Sequence, residues 1–308
     1  MQNEEPKILQ GAEVIPSARG SENALAEQYS QIEINGADLA IGYGQPMVLV
    51  HANISDMPSW EPIQSKPAQH FRVITYSRRY AWPNEPIPGG ADDPWSVHAD
   101  DLGVLIKKLD IAPAHVIGSS TGAFVALLLP RDKPELLVLE GPPVVSIFLP
   151  STPPTLWQLL TLLFWQPATF LPVVMFGATV AGPIRAAIVR GDDEKALEIF
   201  GRGALGEGAF ARLSATRIQQ MRDNMKPHAV FCLTNGLPLL SEADARNILV
   251  PTLMLSGEKT TIVNQHINRR LAALIPAAKE AVGSKAAHLV HEDHPDGVLE
   301  AVLRFIVE

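Results

Sequence analysis

The chain has 308 residues, 33 acidic against 25 basic side chains, a formal charge of −8 at pH 7, and 46% hydrophobic residues. That length suits one large α/β domain with room for an insertion, and that composition excludes a disordered chain. The acidic balance argues against a nucleic-acid partner, which would need clustered Lys and Arg to displace phosphate counterions.

Cys232 stands alone, so neither a disulfide framework nor a thiolate metal cage is available. The opening MQNEEPKILQ is acidic and has no apolar core of a secretory signal. Both features lead to the expectation of a cytoplasmic protein. Residues 1–28 are polar and aperiodic and read as a tail.

Ordered patterning begins at QIEINGADLAIGY, where Asn35-Gly36 separates two short alternating runs, a hairpin signal. Unbroken apolar runs follow at 47–50, 71–76, 114–118, 136–139 and 251–256. Strands without alternation suit a sheet covered on both faces, hence mostly parallel. Helical spacing lies between them. Leu102, Leu105, Ile106 and Leu109 form one stripe; Ile267, Leu271 and Leu274 form a second that stops before Pro276. Val298, Ala301, Val302 and Phe305 form a third, with Pro295 in its first turn. Strand and helix alternate as in an open doubly wound α/β sheet.

Gly141 to Ile184 breaks the pattern, with no Asp, Glu, Lys or Arg and with Trp157, Phe164, Trp165, Phe170 and Phe176. Prolines at 150, 153, 154, 167, 172 and 183 are expected to cut the stretch below the roughly 20 residues that a membrane span needs. The expected division is a core of 29–143 and 236–308 with a helical cap over 144–235, with helix starts at Asp192 and Ser214. The cap is read as the roof of a pocket; the alternatives are a self-packed helical subdomain or an interaction surface that pairs two copies.

The chemistry is concentrated at Gly118-Ser119-Ser120-Thr121-Gly122, between the run AHVIG and the helical AFVALLL. G-x-S-x-G between strand and helix is the context of a nucleophile elbow. The flanking glycines allow a turn sharp enough to lift Ser120 Oγ clear of the sheet, and Thr121 N–H lies at the positive end of the next helix. These residues resemble the α/β-hydrolase superfamily, in its cap-bearing branch of serine hydrolases and esterases, over about residues 29–308. The resemblance implies an α/β-hydrolase fold, a mostly parallel sheet with an inserted cap.

It also implies site residues. The oxyanion loop after the third strand corresponds to His51-Ala52-Asn53, with alanine where the family has glycine; the N–H groups of Asn53 and Thr121 would be the oxyanion donors, and His51 is read as a structural histidine. Ala287-His288 near the chain end corresponds to the catalytic histidine, with His291 and His294 as rivals. The spacing of those three histidines also raises a metal site, which no other cluster of ligands supports. Thr260 stands where many relatives carry the triad Asp, so the acid is expected to be Glu140, at the end of the sixth family strand, with Glu258 as the fallback. Arg78-Arg79-Tyr80 is read as solvated surface, with recognition of an anion as the alternative.

The function expected is a cofactor-independent serine hydrolase, forming an acyl-enzyme on Ser120 and cleaving a small ester with a hydrophobic acyl or alcohol part. A lactonase, a C–C bond hydrolase or a hydroxynitrile lyase on the same residues is one alternative, and a catalytically weak ligand-binding protein of the same fold is another.

Overall fold

The computed structural model describes residues 13–14, 32–33, 38–129, 133–151, 153–233 and 239–307. The Asn35-Gly36 turn and most of the tail lie outside these residues. β1 (Glu13–Val14), from the tail, pairs antiparallel with β2 (Ile32–Glu33) beyond it.

The main sheet has seven strands in the order β3-β5-β4-β6-β7-β8-β9. They are β3 (Asp38–Ile41), β4 (Gln45–Val50), β5 (Phe71–Tyr76), β6 (Ala114–Ser119), β7 (Pro134–Glu140), β8 (Thr252–Gly257) and β9 (Ala278–Gly283). β3 runs antiparallel on β5, and every other pairing is parallel.

Alternate residues of the central strands divide the core between the two faces. Val48, Val50, Val116, Leu137, Leu139 and Met254 pack under α2 (Trp95–Lys108), α3 (Thr121–Leu127) and α12 (Ile262–Leu274). Met47, Leu49, Ile117, Leu136, Val138, Leu253 and Leu255 pack against α13 (Val290–Asp293) and α14 (Pro295–Val307), beside α1 (Glu61–Gln64). A sheet covered twice needs apolar residues at both parities, which is why its runs are unbroken.

Between β7 and β8 the chain leaves the sheet for α4 (Leu156–Trp165), α5 (Pro167–Phe176), α6 (Gly182–Val189), α7 (Asp193–Phe200), α8 (Glu207–Phe210), α9 (Ala215–Asp223), α10 (Met225–Leu233) and α11 (Glu242–Arg246). Asp192 and Ser214 cap α7 and α9, accepting the N–H of Lys195 and of Arg217.

The prolines do not interrupt this insertion as expected. Pro167–Val189 is a continuous helix of 23 residues, long and apolar enough by length and composition to cross a membrane, with a mean hydropathy of 1.6 in its most apolar window. Gly177–Ala181 widens to a π-turn, with Gly182 N–H on the Gly177 carbonyl. A widened turn just before Pro183 relieves the clash between the ring and the preceding turn. One face of this helix is buried through Val173, Val180, Ile184, Ala187 and Ile188. On α4, in contrast, Trp157, Phe164 and Trp165 are each more than three-quarters exposed.

The insertion meets the core where β4 and β6 end. Ala52, Ile54 and Leu289 share an apolar cluster with Val180, Ile184, Leu197, Leu205, Met221 and Met225. Arg217 pairs with Glu292 at 3.0 Å.

Candidate active site

β6 passes into α3 through Ser120, whose φ of 50° and ψ of −115° are strained for a residue with a Cβ. The two glycines of the motif are required by close approach. A Cβ on Gly118 would lie 2.5 Å from Ala123 N, and one on Gly122 would lie 2.1 Å from the Val50 carbonyl oxygen. Nothing larger than hydrogen fits, so α3 can start immediately over β4.

His288 lies in the segment between β9 and α13, with its Nε2 3.0 Å from Ser120 Oγ. Both side chains are buried, at 6% and 7% exposure, in a cavity lined also by Asn53, Ile54, Leu205, Met221 and Leu289. Burial pushes the His288 pKa below its ordinary value; the Glu140 charge opposes this and His291 adds to it. The ring is therefore neutral near pH 7.

The other nitrogen of His288 carries the main departure from the sequence expectation. Among the described residues no carboxylate is bonded to it. Asn264 Nδ2 lies 3.0 Å from His288 Nδ1. An amide presents a donor and an acceptor on one pivot. With Nδ2 inward it donates to Nδ1 and the ring hydrogen sits on Nε2; a half-turn brings Oδ1 inward to accept Nδ1–H and leaves Nε2 a lone pair toward Ser120.

Glu140, expected on His288, is bonded instead to His291. Its Oε1 accepts the His291 main-chain N–H at 2.7 Å, and its Oε2 lies 2.6 Å from His291 Nδ1. Strand parity gives the reason. Glu140 follows Leu136 and Val138 on the face covered by α13 and α14, so its side chain enters that layer rather than the cavity over the strand ends. Burial alone would raise its pKa, but His291 and the hydrogen bonds outweigh that and hold it low. His291 in turn is held above its ordinary value, because the Glu140 charge and hydrogen bond overcome the burial. The His291 ring also stacks on Trp60 at 4.2 Å.

The remaining candidates can be placed. Glu258 is exposed and accepts the Lys285 N–H at 2.8 Å. His294 bonds through its main chain to the Val290 carbonyl, at the junction of α13 and α14. Among the described residues no group of three or more His, Cys, Asp or Glu side chains is arranged to hold a metal ion.

Asn53 shares the cavity with Ser120, and among the described residues its main-chain N–H has no acceptor. Its side chain donates to His228 Nδ1 at 2.8 Å, and burial lowers the His228 pKa to about 4. Thr121, as the first residue of α3, has an N–H that no helical carbonyl can reach.

Two buried polar positions beside the site differ from the sequence reading. Asn264 sits one turn before Ile267 on the stripe of α12, and a polar residue on a buried stripe is the signal that marks it. Arg78 is 5% exposed rather than solvated, and Arg79 is fork-bonded to Asp101 at 2.8 and 2.7 Å.

Known proteins resemble the chain in sequence and in fold. A Mycobacterium tuberculosis protein, BpoC, classed by its name with the non-heme bromoperoxidases, is 26% identical over 271 residues, covering 86% of this chain and 94% of its own. The pimeloyl-(acyl-carrier protein) methyl ester esterase of Aeromonas salmonicida is 24% identical over 271 residues, 86% and 96% of the two chains. The solved enol-lactonase of Burkholderia xenovorans LB400 superposes with a TM-score of 0.66 at 17% identity, over 89% of this chain and 98% of that one. A family model, described as the alpha/beta hydrolase family, matches residues 47–301. That match runs from β4 into α14 and takes in both Ser120 and His288, so the chain belongs to the alpha/beta hydrolase family.

Proposed function

We propose that the protein is a cofactor-independent serine hydrolase that cleaves a carboxylic ester through an acyl-enzyme on Ser120. The observation that carries the reading is the 3.0 Å contact between Ser120 Oγ and His288 Nε2 at a strained strand-to-helix turn. Family membership supports hydrolysis in general, and the names of an esterase and a lactonase among its relatives agree with an ester bond.

In this reading His288 Nε2 takes the Ser120 proton as Oγ attacks the ester carbonyl carbon. The N–H groups of Asn53 and Thr121 receive the oxyanion, and the imidazolium then protonates the departing alkoxide. Water repeats the cycle on the acyl-enzyme and releases the acid. Asn264, with Oδ1 turned to the ring, holds Nδ1–H. Glu140 acts on the imidazolium by its charge rather than by contact.

The insertion over 144–235 serves as the cap. Ile54, Phe200, Leu205, Met221 and Leu289 line the cavity beside Ser120 and His288, and their apolar side chains favour a hydrophobic acyl or alcohol group. We read Pro167–Val189 as a packed helix of that cap rather than a membrane span, and the protein as cytoplasmic.

The test is labelling with a fluorophosphonate, read by intact mass and peptide mapping, beside turnover of p-nitrophenyl esters. Stoichiometric modification at Ser120 that Ser120→Ala abolishes is expected. A folded protein that is neither labelled nor active would exclude acyl-enzyme chemistry and favour ligand binding.

A further inference from the structure

Arg78 is a charged side chain buried against the His51-Ala52-Asn53 loop, and the proposed reaction gives it no task. Its guanidinium meets no carboxylate within salt-bridge distance among the described residues. Nε donates to the His51 carbonyl at 3.2 Å, and Nη2 donates to the Ala52 carbonyl at 3.0 Å and reaches Thr121 Oγ1 at 3.4 Å. The guanidinium carbon lies 5.2 Å above the Trp95 ring. A charge of this kind is expensive to bury, so its three acceptors call for an explanation.

One acceptor shares a peptide unit with an oxyanion donor, and another is the side chain of the second donor residue. The Ala52 carbonyl and the Asn53 N–H are the two ends of one peptide unit. In a trans peptide they point in opposite directions. Drawing the carbonyl toward Arg78 therefore turns the N–H away from it. His51 secures the same carbonyl from a second side, since its Nδ1 lies 2.8 Å from Ala52 O while its Nε2 accepts the Arg78 main-chain N–H at 2.8 Å. This pattern needs a neutral His51, and burial and the Arg78 charge hold its pKa well below the ordinary value. The third contact, to Thr121, ties in the side chain of the other donor residue. A cation on a carbonyl also polarises its peptide and strengthens the N–H at the far end.

We propose that Arg78 is the positioning residue of the oxyanion hole: one guanidinium holds the Ala52–Asn53 peptide and Thr121 in register, so that both N–H groups face the position above Ser120. This rests on the ester-hydrolase reading of Ser120. It replaces the expectation of a solvated surface arginine. The oxyanion loop of this chain has alanine at position 52, and the arginine and His51 supply from below the fixed geometry that the loop needs.

The test compares Arg78→Ala and Arg78→Lys with the wild type on p-nitrophenyl butyrate. Losing an oxyanion donor lowers kcat by roughly 100- to 1,000-fold. Arg78→Ala is expected to fall within that range with KM changed less than about threefold. Methylguanidinium should restore at least tenfold, entering the cavity that Arg78 lines beside Trp95 and Asn224. Arg78→Lys keeps the charge but not the fork and should lie between the two, which keeps the test open if the alanine variant does not fold. Unchanged kcat, a raised KM at unchanged kcat, or a lysine variant equal to wild type would each overturn the proposal. Amide hydrogen exchange of Asn53 separates this from failure of the ester reading: faster exchange in Arg78→Lys with Val116 unaffected is expected whether or not the wild type turns over esters, and unchanged exchange would overturn the pinning.

Discussion

Replacing Asn264 by alanine removes the side chain on His288 Nδ1 and leaves the 3.0 Å contact with Ser120 in place. The bond lost joins two neutral groups in the resting enzyme, worth about 1 to 1.5 kcal/mol net, and is worth roughly 1.5 to 3 kcal/mol once the ring is an imidazolium. In the transition state it holds the ring hydrogen on Nδ1 and fixes the ring plane, so kcat should fall about tenfold, at 1.36 kcal/mol per factor of ten. Removing the carboxylate from a Ser-His-Asp triad costs about 10⁴. The smaller figure follows because, among the described residues, the ring of His288 is bonded to an amide and a hydroxyl rather than a carboxylate. The assay is kcat and KM on p-nitrophenyl butyrate with the labelling rate at Ser120, run beside Glu140→Gln. A loss near 10⁴ in a folded, fully active-site-titrated Glu140→Gln, with Asn264→Ala within twofold of wild type, would refute the reasoning. It would show that the carboxylate orients the base.

The acid limb of kcat/KM should lie below 6.5, because burial lowers the His288 pKa and its neutral form is the base; a limb above 7 would contradict that environment. The Glu140–His291 pair should stabilise the fold most between about pH 4.5 and 6.5. Its contribution is lost as pH rises through the raised pKa of His291 and as pH falls through the lowered pKa of Glu140. Breaking so buried a pair with Glu140→Gln should cost roughly 3 to 5 kcal/mol by urea denaturation near pH 6, and less at pH 9. Gly141 has a φ of +55°, and a Cβ there would lie 3.0 Å from His288 Cε1. Gly141→Ala should therefore cost about 1 to 2 kcal/mol and slow labelling at Ser120, since it strains the backbone and pushes the ring. Unchanged labelling would show that the ring has room to move.

What the sequence made legible follows the burial. Met47 to Val50 are fully buried, and a strand of that kind has one reading once Gly and Pro bound it. β9 was invisible because it is an edge strand carrying Lys279 and Glu280 toward solvent, which erases the apolar run. Pro172 and Pro183 read as helix breaks, yet they lie in one helix because a π-turn takes up the second ring. Ser120 and His288 stand out because an elbow and a small-residue–His pair leave a local imprint. The partner of His288 leaves a fainter one, since it depends on which face of β7 the Glu140 side chain enters and on a polar residue on the buried stripe in the first turn of α12. The parity of Leu136, Val138 and Glu140 was there to be read, but it acquires meaning only once the covering helix is known.

The backbone at Ser120 has a consequence for any attempt to improve the protein. A left-handed φ of 50° on a residue with a Cβ costs on the order of 1 to 3 kcal/mol, and glycine would escape most of it. Ser120→Gly should therefore melt higher than the wild type while losing the hydroxyl that faces His288. A directed-evolution campaign scored on heat resistance alone would favour that exchange early. Screens for hardier variants of this chain need a turnover readout in the same well, or they will enrich inert scaffolds.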